Sequence, residues 1–262
     1  MSLLTQLSYS EYRDSQIILV DVLGMRSRIR QIANAQGFDT VASVLGVLRE
    51  QAVRWSSMDG RFADLKATAV SDSLAVSLPF RSDVAAISLA FLMHGFQYDL
   101  FLHTGHLLRG YMTRGALYHE DGILFGEGHL RALEGEERLL KGGPPRIVID
   151  PELVALAQAQ GAEHPPAGWS SVFEALRQDQ CDGHWFIDFL KPIGLPGEGR
   201  AEVLRNDRGR LRALIASQIE AHRKDRRVRA KYAWLRQYEA ISRADFDSLL
   251  AARSTQGSDL EP

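Results

Sequence analysis

The sequence predicts an α+β fold: an antiparallel sheet with helices on one face, followed by a helical C-terminal extension. Three observations point there. Two apolar runs of strand length, Gln16 to Met25 and Ala67 to Leu78, alternate with longer stretches of helical spacing. The breaks between them are turn sequences rather than linkers. Beyond residue 160 the chain changes to loops and two long helical patterns.

In chain order, the first strand leads into residues 27–56, where Ile29, Ile32, Val41, Val44, Leu45, Leu48, Val53 and Trp55 recur at helical spacing, and Gly37 is expected to divide two helices. Asp59-Gly60 is a turn, and a hairpin around Asp72 follows. Ser82-Asp83 reads as the N-cap of an apolar helix running to about His103. Leu107 to Tyr118 reads as a strand, His119 to Gly122 as its solvated turn, and Ile123 to Phe125 as the return. A helix from Glu127 to Leu140 ends at Lys141-Gly142-Gly143-Pro144-Pro145, and Arg146 to Asp150 is the last clear strand. This order is the split βαβ arrangement of ferredoxin-like or palm folds, which would make Asp21 and Asp72 neighbours. Residues 1–160 are expected to form that unit. Residues 161–262 are expected to be a helical region packed on the core or on a dimer interface, with loops at Pro165-Pro166 and Leu195 to Gly199 and helices over 203–222 and 228–238.

Each strand is interrupted by one carboxylate, Asp21 in ILVDVLG and Asp72 in VSDS, which an apolar run cannot stabilise by itself. One reading pairs each aspartate with an arginine or a turn. Local shape favours another. Asp21 precedes Val22-Leu23-Gly24-Met25-Arg26, a strand passing through glycine into a helix, which offers backbone N–H groups to phosphate. Asp72 sits at a hairpin tip. Two aspartates brought together at strand ends make an all-oxygen site suited to Mg²⁺ or Mn²⁺ when a phosphate completes the shell.

The 262 residues carry a net charge of −2, so no general attraction for nucleic acid follows, and a polyphosphate pocket must be locally basic. The single Cys181 excludes an intramolecular disulfide and a thiolate zinc site, which fits a reducing compartment. No basic leader or long uncharged apolar window is present, so a cytoplasmic protein with no membrane partner is expected.

Asp21 in ILVDVLG followed by Asp72 on a hairpin resembles the metal-binding pair of class III nucleotidyl cyclases. Arg109-Gly110 through Gly115, Phe125-Gly126 with Ala132 and Glu136, and Pro145 to Asp150 resemble a divergent bacterial branch that includes the pyrimidine cyclases of Pycsar antiphage defence. Trp185 to Leu190 and Lys231 to Leu235 extend the likeness over nearly the whole chain. It implies conversion of UTP, preferred over CTP, to a 3′,5′-cyclic monophosphate by two divalent ions per site. It also implies a head-to-tail homodimer with composite active sites, residues 109–125 coming from the partner. Asp21, Asp72 and the Val22 carbonyl would hold the ions, and Leu23, Gly24, Met25 and Arg26 would cradle the outer phosphates. Thr68 and Ile123 stand where the family's purine enzymes select the base, and carry neither purine code. Leu130 and Glu134 stand where the family has its transition-state asparagine and arginine, and neither can donate to a phosphoryl oxygen. A retired cyclase fold serving as nucleotide sensor or dimerising scaffold is therefore the alternative.

Charge growing on phosphorus needs cationic donors, and Arg109, Arg114, Lys66 and Arg146 are the candidates on neighbouring strands. Arg109 and Arg114 differ by five positions, so at most one should reach the pocket. Arg146 could instead pair with Glu136. Lys66 and Thr68 share a face with Asp72 on a regular strand. Trp55 is expected in the core or an interface, and the run Arg223 to Arg227 at a solvated helix junction.

Overall fold

The computed structural model describes residues 9–81, 86–140, 143–163, 175–191 and 198–257. Eight strands form one sheet: β1 (Arg13–Val22), β2 (Lys66–Val70), β3 (Ser73–Pro79), β4 (Leu108–Glu120), β5 (Ile123–Phe125), β6 (Ile147–Ile149), β7 (Leu176–Gln178) and β8 (Trp185–Ile187). Their order is β2-β3-β1-β4-β6-β8-β7, with β5 paired to β4 alone. All pairs are antiparallel except β4 with β6. The first four strands have the split βαβ connectivity expected from the sequence, which places β1 between β3 and β4.

Seven α-helices complete the described chain: α1 (Met25–Arg30), α2 (Ala35–Ser56), α3 (Ser88–Thr104), α4 (Glu127–Leu140), α5 (Pro151–Glu163), α6 (Glu198–Ala221) and α7 (Arg226–Gly257). The break between α1 and α2 falls before Gly37. Asn34 caps α2 by accepting the Gly37 N–H at 2.8 Å, so the glycine lies in the first helical turn. The anticipated cap Ser82-Asp83 lies outside the described residues, as do Lys141-Gly142 and Pro165-Pro166. Helix α5 was not expected. Asp150 accepts the Glu152 N–H at 3.0 Å and Pro151 occupies the first helical position, a start signal that ends β6 abruptly.

The expectation that helices cover one face is corrected. Ile18, Val20 and Val22 point into the main core, with Val44 and Leu48 of α2, Met93 of α3 and Val154 of α5. Ile17 and Leu19 point the other way and meet Ala75, Leu117 and Ala132 of α4. The strand period of two thus feeds both faces. Nor does the sheet end at residue 160. β7 and β8 extend it, and α6 and α7 pack through Leu211, Ile215, Leu235 and Tyr238 onto Phe186 of β8 and Phe101 of α3. Among the described residues no helix is long and apolar enough to cross a membrane.

Candidate functional site

The second sheet face opens, at the C-terminal end of β1, into a cavity of about 990 Å³. Asp21 stands there opposite Ser73 of β3 and Arg109 of β4. The β2–β3 turn has two residues, Ser71 in the left-handed region (φ 54°) and Asp72, so Asp72 directly precedes β3. Its carbonyl accepts the Val22 N–H at 2.8 Å, docking the hairpin tip onto the end of β1. Asp21 and Asp72 therefore line one cavity, together with Val22, Gly24 and Thr68. α4 adds Glu134, Glu136 and Glu137, and α7 adds Lys231.

The two aspartates are balanced differently. Arg109 holds Asp21 by Nη2 to Oδ2 at 3.0 Å and Nε to Oδ1 at 3.3 Å, and its Nη2 also reaches Glu136 at 3.1 Å. Asp72 is only 9% exposed, and its carboxylate meets no hydrogen-bonding or ion-pairing side chain among the described residues. Five carboxylates line the cavity against two permanent cations, Arg109 and Lys231, an imbalance that attracts positive charge. The Lys231 ammonium is held below its ordinary pKa, first by burial and then by Arg109, with Asp21 opposing. Among the described residues no group of three or more His, Cys, Asp or Glu side chains could hold a metal ion. Two carboxylates fit a hard divalent ion only where ligand oxygens complete its shell.

Several predicted residues fall elsewhere. Arg114 pairs with Asp14 at 2.8 Å, stacks over Phe80 and lines a separate pocket with Arg131 and Asp150, so it does not reach the cavity. Lys66 pairs with Glu120 at 2.7 Å and does not line the cavity. Ile123 is outside it too, although Gly122 and Leu124 beside it contribute. The Leu23 N–H is committed to the Leu107 carbonyl at 2.8 Å, which removes it from any phosphate cradle. Leu23, Gly24 and Met25 nonetheless line the cavity, Gly24 capping α1 with φ 83° and Met25 otherwise buried, while the Arg26 side chain lies outside the described residues. Leu130 is exposed and Glu134 lines the cavity. Arg146 does not pair with Glu136. It is buried against Asp179, Asp182 and the Phe186 and Trp234 rings, because β8 lies beside β6. Trp55 is in the core, edge-on to Phe96.

His119 corrects the sequence reading most. β4 runs on to Glu120 and the turn is Asp121-Gly122, with φ of 50° and 78°, so His119 is a strand residue and not part of a solvated tip. It is buried, with Nε2 2.8 Å from Thr68 Oγ1 and Nδ1 2.8 Å from Ser77 Oγ. Burial, then Lys66 and His129, lower its pKa to about 4, so the ring is neutral. The β4–β5 hairpin thereby reaches across the sheet to β2 and β3 and fixes the Thr68 hydroxyl in the cavity wall. Lys231 and Glu137 were not anticipated either. No local pattern marks them, since distant packing alone brings them to Asp21. Neither a family model nor a curated protein matches the sequence.

Proposed function

We propose that this cavity binds a pyrimidine nucleoside triphosphate with Mg²⁺ or Mn²⁺ and joins the ribose 3′-oxygen to the α-phosphorus. The 3′-O–P bond forms, the bond to the β-phosphate oxygen breaks, the hydroxyl proton passes to solvent and pyrophosphate leaves. The observation that carries this reading is the convergence of two strand-end carboxylates on one cavity, the Asp72 carboxylate having no side-chain counter-charge among the described residues. When bound, two divalent ions would lower the pKa of the attacking hydroxyl and neutralise the triphosphate. Asp21, Asp72 and the Val22 carbonyl would hold those ions, which requires the hairpin tip and the end of β1 to stay docked. Arg109 has to release part of its hold on Asp21 and stays beside it, held by Glu136, as a donor to phosphoryl oxygens. Thr68, oriented by His119, faces the base. The preference for UTP over CTP, a homodimer with composite sites, a cytoplasmic location and a second-messenger role in antiphage defence rest on the likeness to pyrimidine cyclases, but Arg109 lies on the Asp21 of its own chain, so a partner's contribution would not include that residue.

The Arg109 bridge supports a second reading, a catalytically retired fold that binds nucleotide or dimerises, because Asp21 already has a cation. Incubation with each of the four ribonucleoside triphosphates and Mn²⁺, followed by product mass, separates the two. A cyclic pyrimidine monophosphate is the expected product. No product from any triphosphate would favour the second reading, and a dinucleotide product would refute both.

A further inference from the structure

We propose that Lys231 of α7 is the phosphate grip of this site, binding the β- and γ-phosphates of the incoming nucleotide. The inference rests on the cavity being a triphosphate site. It goes further by making the C-terminal helices part of the substrate-binding apparatus.

Lys231 lines the same cavity as Asp21 and Asp72, although α7 belongs to the region beyond the first six strands. Its side chain is half-buried, and its ammonium has no carboxylate within ion-pairing reach among the described residues. A partly desolvated ammonium without an ion-pair partner carries a cost that an anionic ligand removes. The other cation of the cavity, Arg109, is already shared between Asp21 and Glu136, so Lys231 has the capacity for an incoming anion. An ammonium with three rotatable donors suits terminal phosphate oxygens, which need charge without fixed geometry.

The helix is also fixed about its axis. Tyr232, Leu235 and Tyr238 bury one stripe against Phe186, Phe189 and Leu211, and Asp225 caps the helix start by accepting the Arg227 and Val228 N–H groups at 3.0 and 3.1 Å. Rotating Lys231 away would expose that stripe, so the packing of α7 delivers the ammonium to the site.

The test measures binding of 3′-deoxyuridine triphosphate, which lacks the attacking hydroxyl, and of uridine monophosphate, each with Mn²⁺, to wild-type protein and the K231M, K231Q and K231R variants. Methionine and glutamine keep most of the aliphatic stem, and thermal melting verifies folding. Triphosphate affinity is expected to fall about ten- to a hundredfold in K231M and K231Q. K231R should recover most of that loss, and monophosphate affinity should change less than about twofold. Unchanged triphosphate affinity, or equal losses for the two ligands, overturns the assignment of Lys231 while leaving the triphosphate site standing. Wild-type protein that binds no triphosphate overturns both.

Discussion

A carboxylate in a cavity wall with no partner side chain adds little to the stability of a fold. Asp72 is that residue here, and Asp21, held by Arg109, is not. Their substitutions should therefore part company. D72N is expected to leave the thermal midpoint unchanged or raise it while abolishing product formation, because it removes an unbalanced charge. D21N is expected to abolish product and also to destabilise the fold by about 1–3 kcal/mol, because it leaves Arg109 half-paired. Turnover retained by D72N would refute the proposed site. His119 makes a prediction in pH. Its pKa falls from 6.5 in the unfolded chain to about 4 in the fold, where burial and then the neighbouring Lys66 and His129 disfavour the imidazolium. The unfolded state therefore binds a proton that the folded state excludes, and stability present above about pH 6.5 is lost as pH drops toward 4. The full loss is on the order of 3 kcal/mol, and H119Q should flatten that part of the stability profile in chemical denaturation.

At the scale of elements, the site depends on how closely β1 and β4 approach. Gly110 pairs with Val20 one position from the Asp21–Arg109 pair, and a Cβ there would lie 2.2 Å from the Leu19 carbonyl oxygen. G110A must separate the strands, so it should cost about 3 kcal/mol or more and displace Arg109 from Asp21. Denaturant melts and triphosphate binding would report both effects. R114A acts as the contrast. That arginine pairs with Asp14 away from the cavity, so turnover should be unaffected and stability should change by less than about 1 kcal/mol.

At the scale of the molecule, β5 and α4 present an apolar rim beside the cavity, with Phe125 45%, Leu130 59% and Leu133 42% exposed. The proposed head-to-tail homodimer would cover that rim with the corresponding parts of a second copy. Wild-type chain is then expected to sediment as a dimer, and an L130E variant as a monomer with impaired turnover. A monomeric wild-type protein that still forms product would exclude composite sites.

The sequence by itself determined the elements whose residues speak locally. Apolar runs of strand length around Asp21 and Asp72, a hairpin tip at Ser71-Asp72, and helical spacing in α2, α3 and α4 were legible because each is a property of a few consecutive residues. The split βαβ order followed from them and put the two aspartates side by side. Tertiary structure alone decided the rest. β7 and β8 are three residues each, too short to show alternation, and are strands only because β6 offers an edge. Arg109 rather than Arg114 faces Asp21, since strand parity sends the two to opposite faces while register chooses which one meets the carboxylate. His119 braces the cavity wall through Thr68 by way of a hairpin crossing the sheet, and Lys231 reaches the cavity on a helix packed from the far end of the chain. Such contacts join residues far apart in sequence, and no neighbouring residue records the packing energy that brings them together.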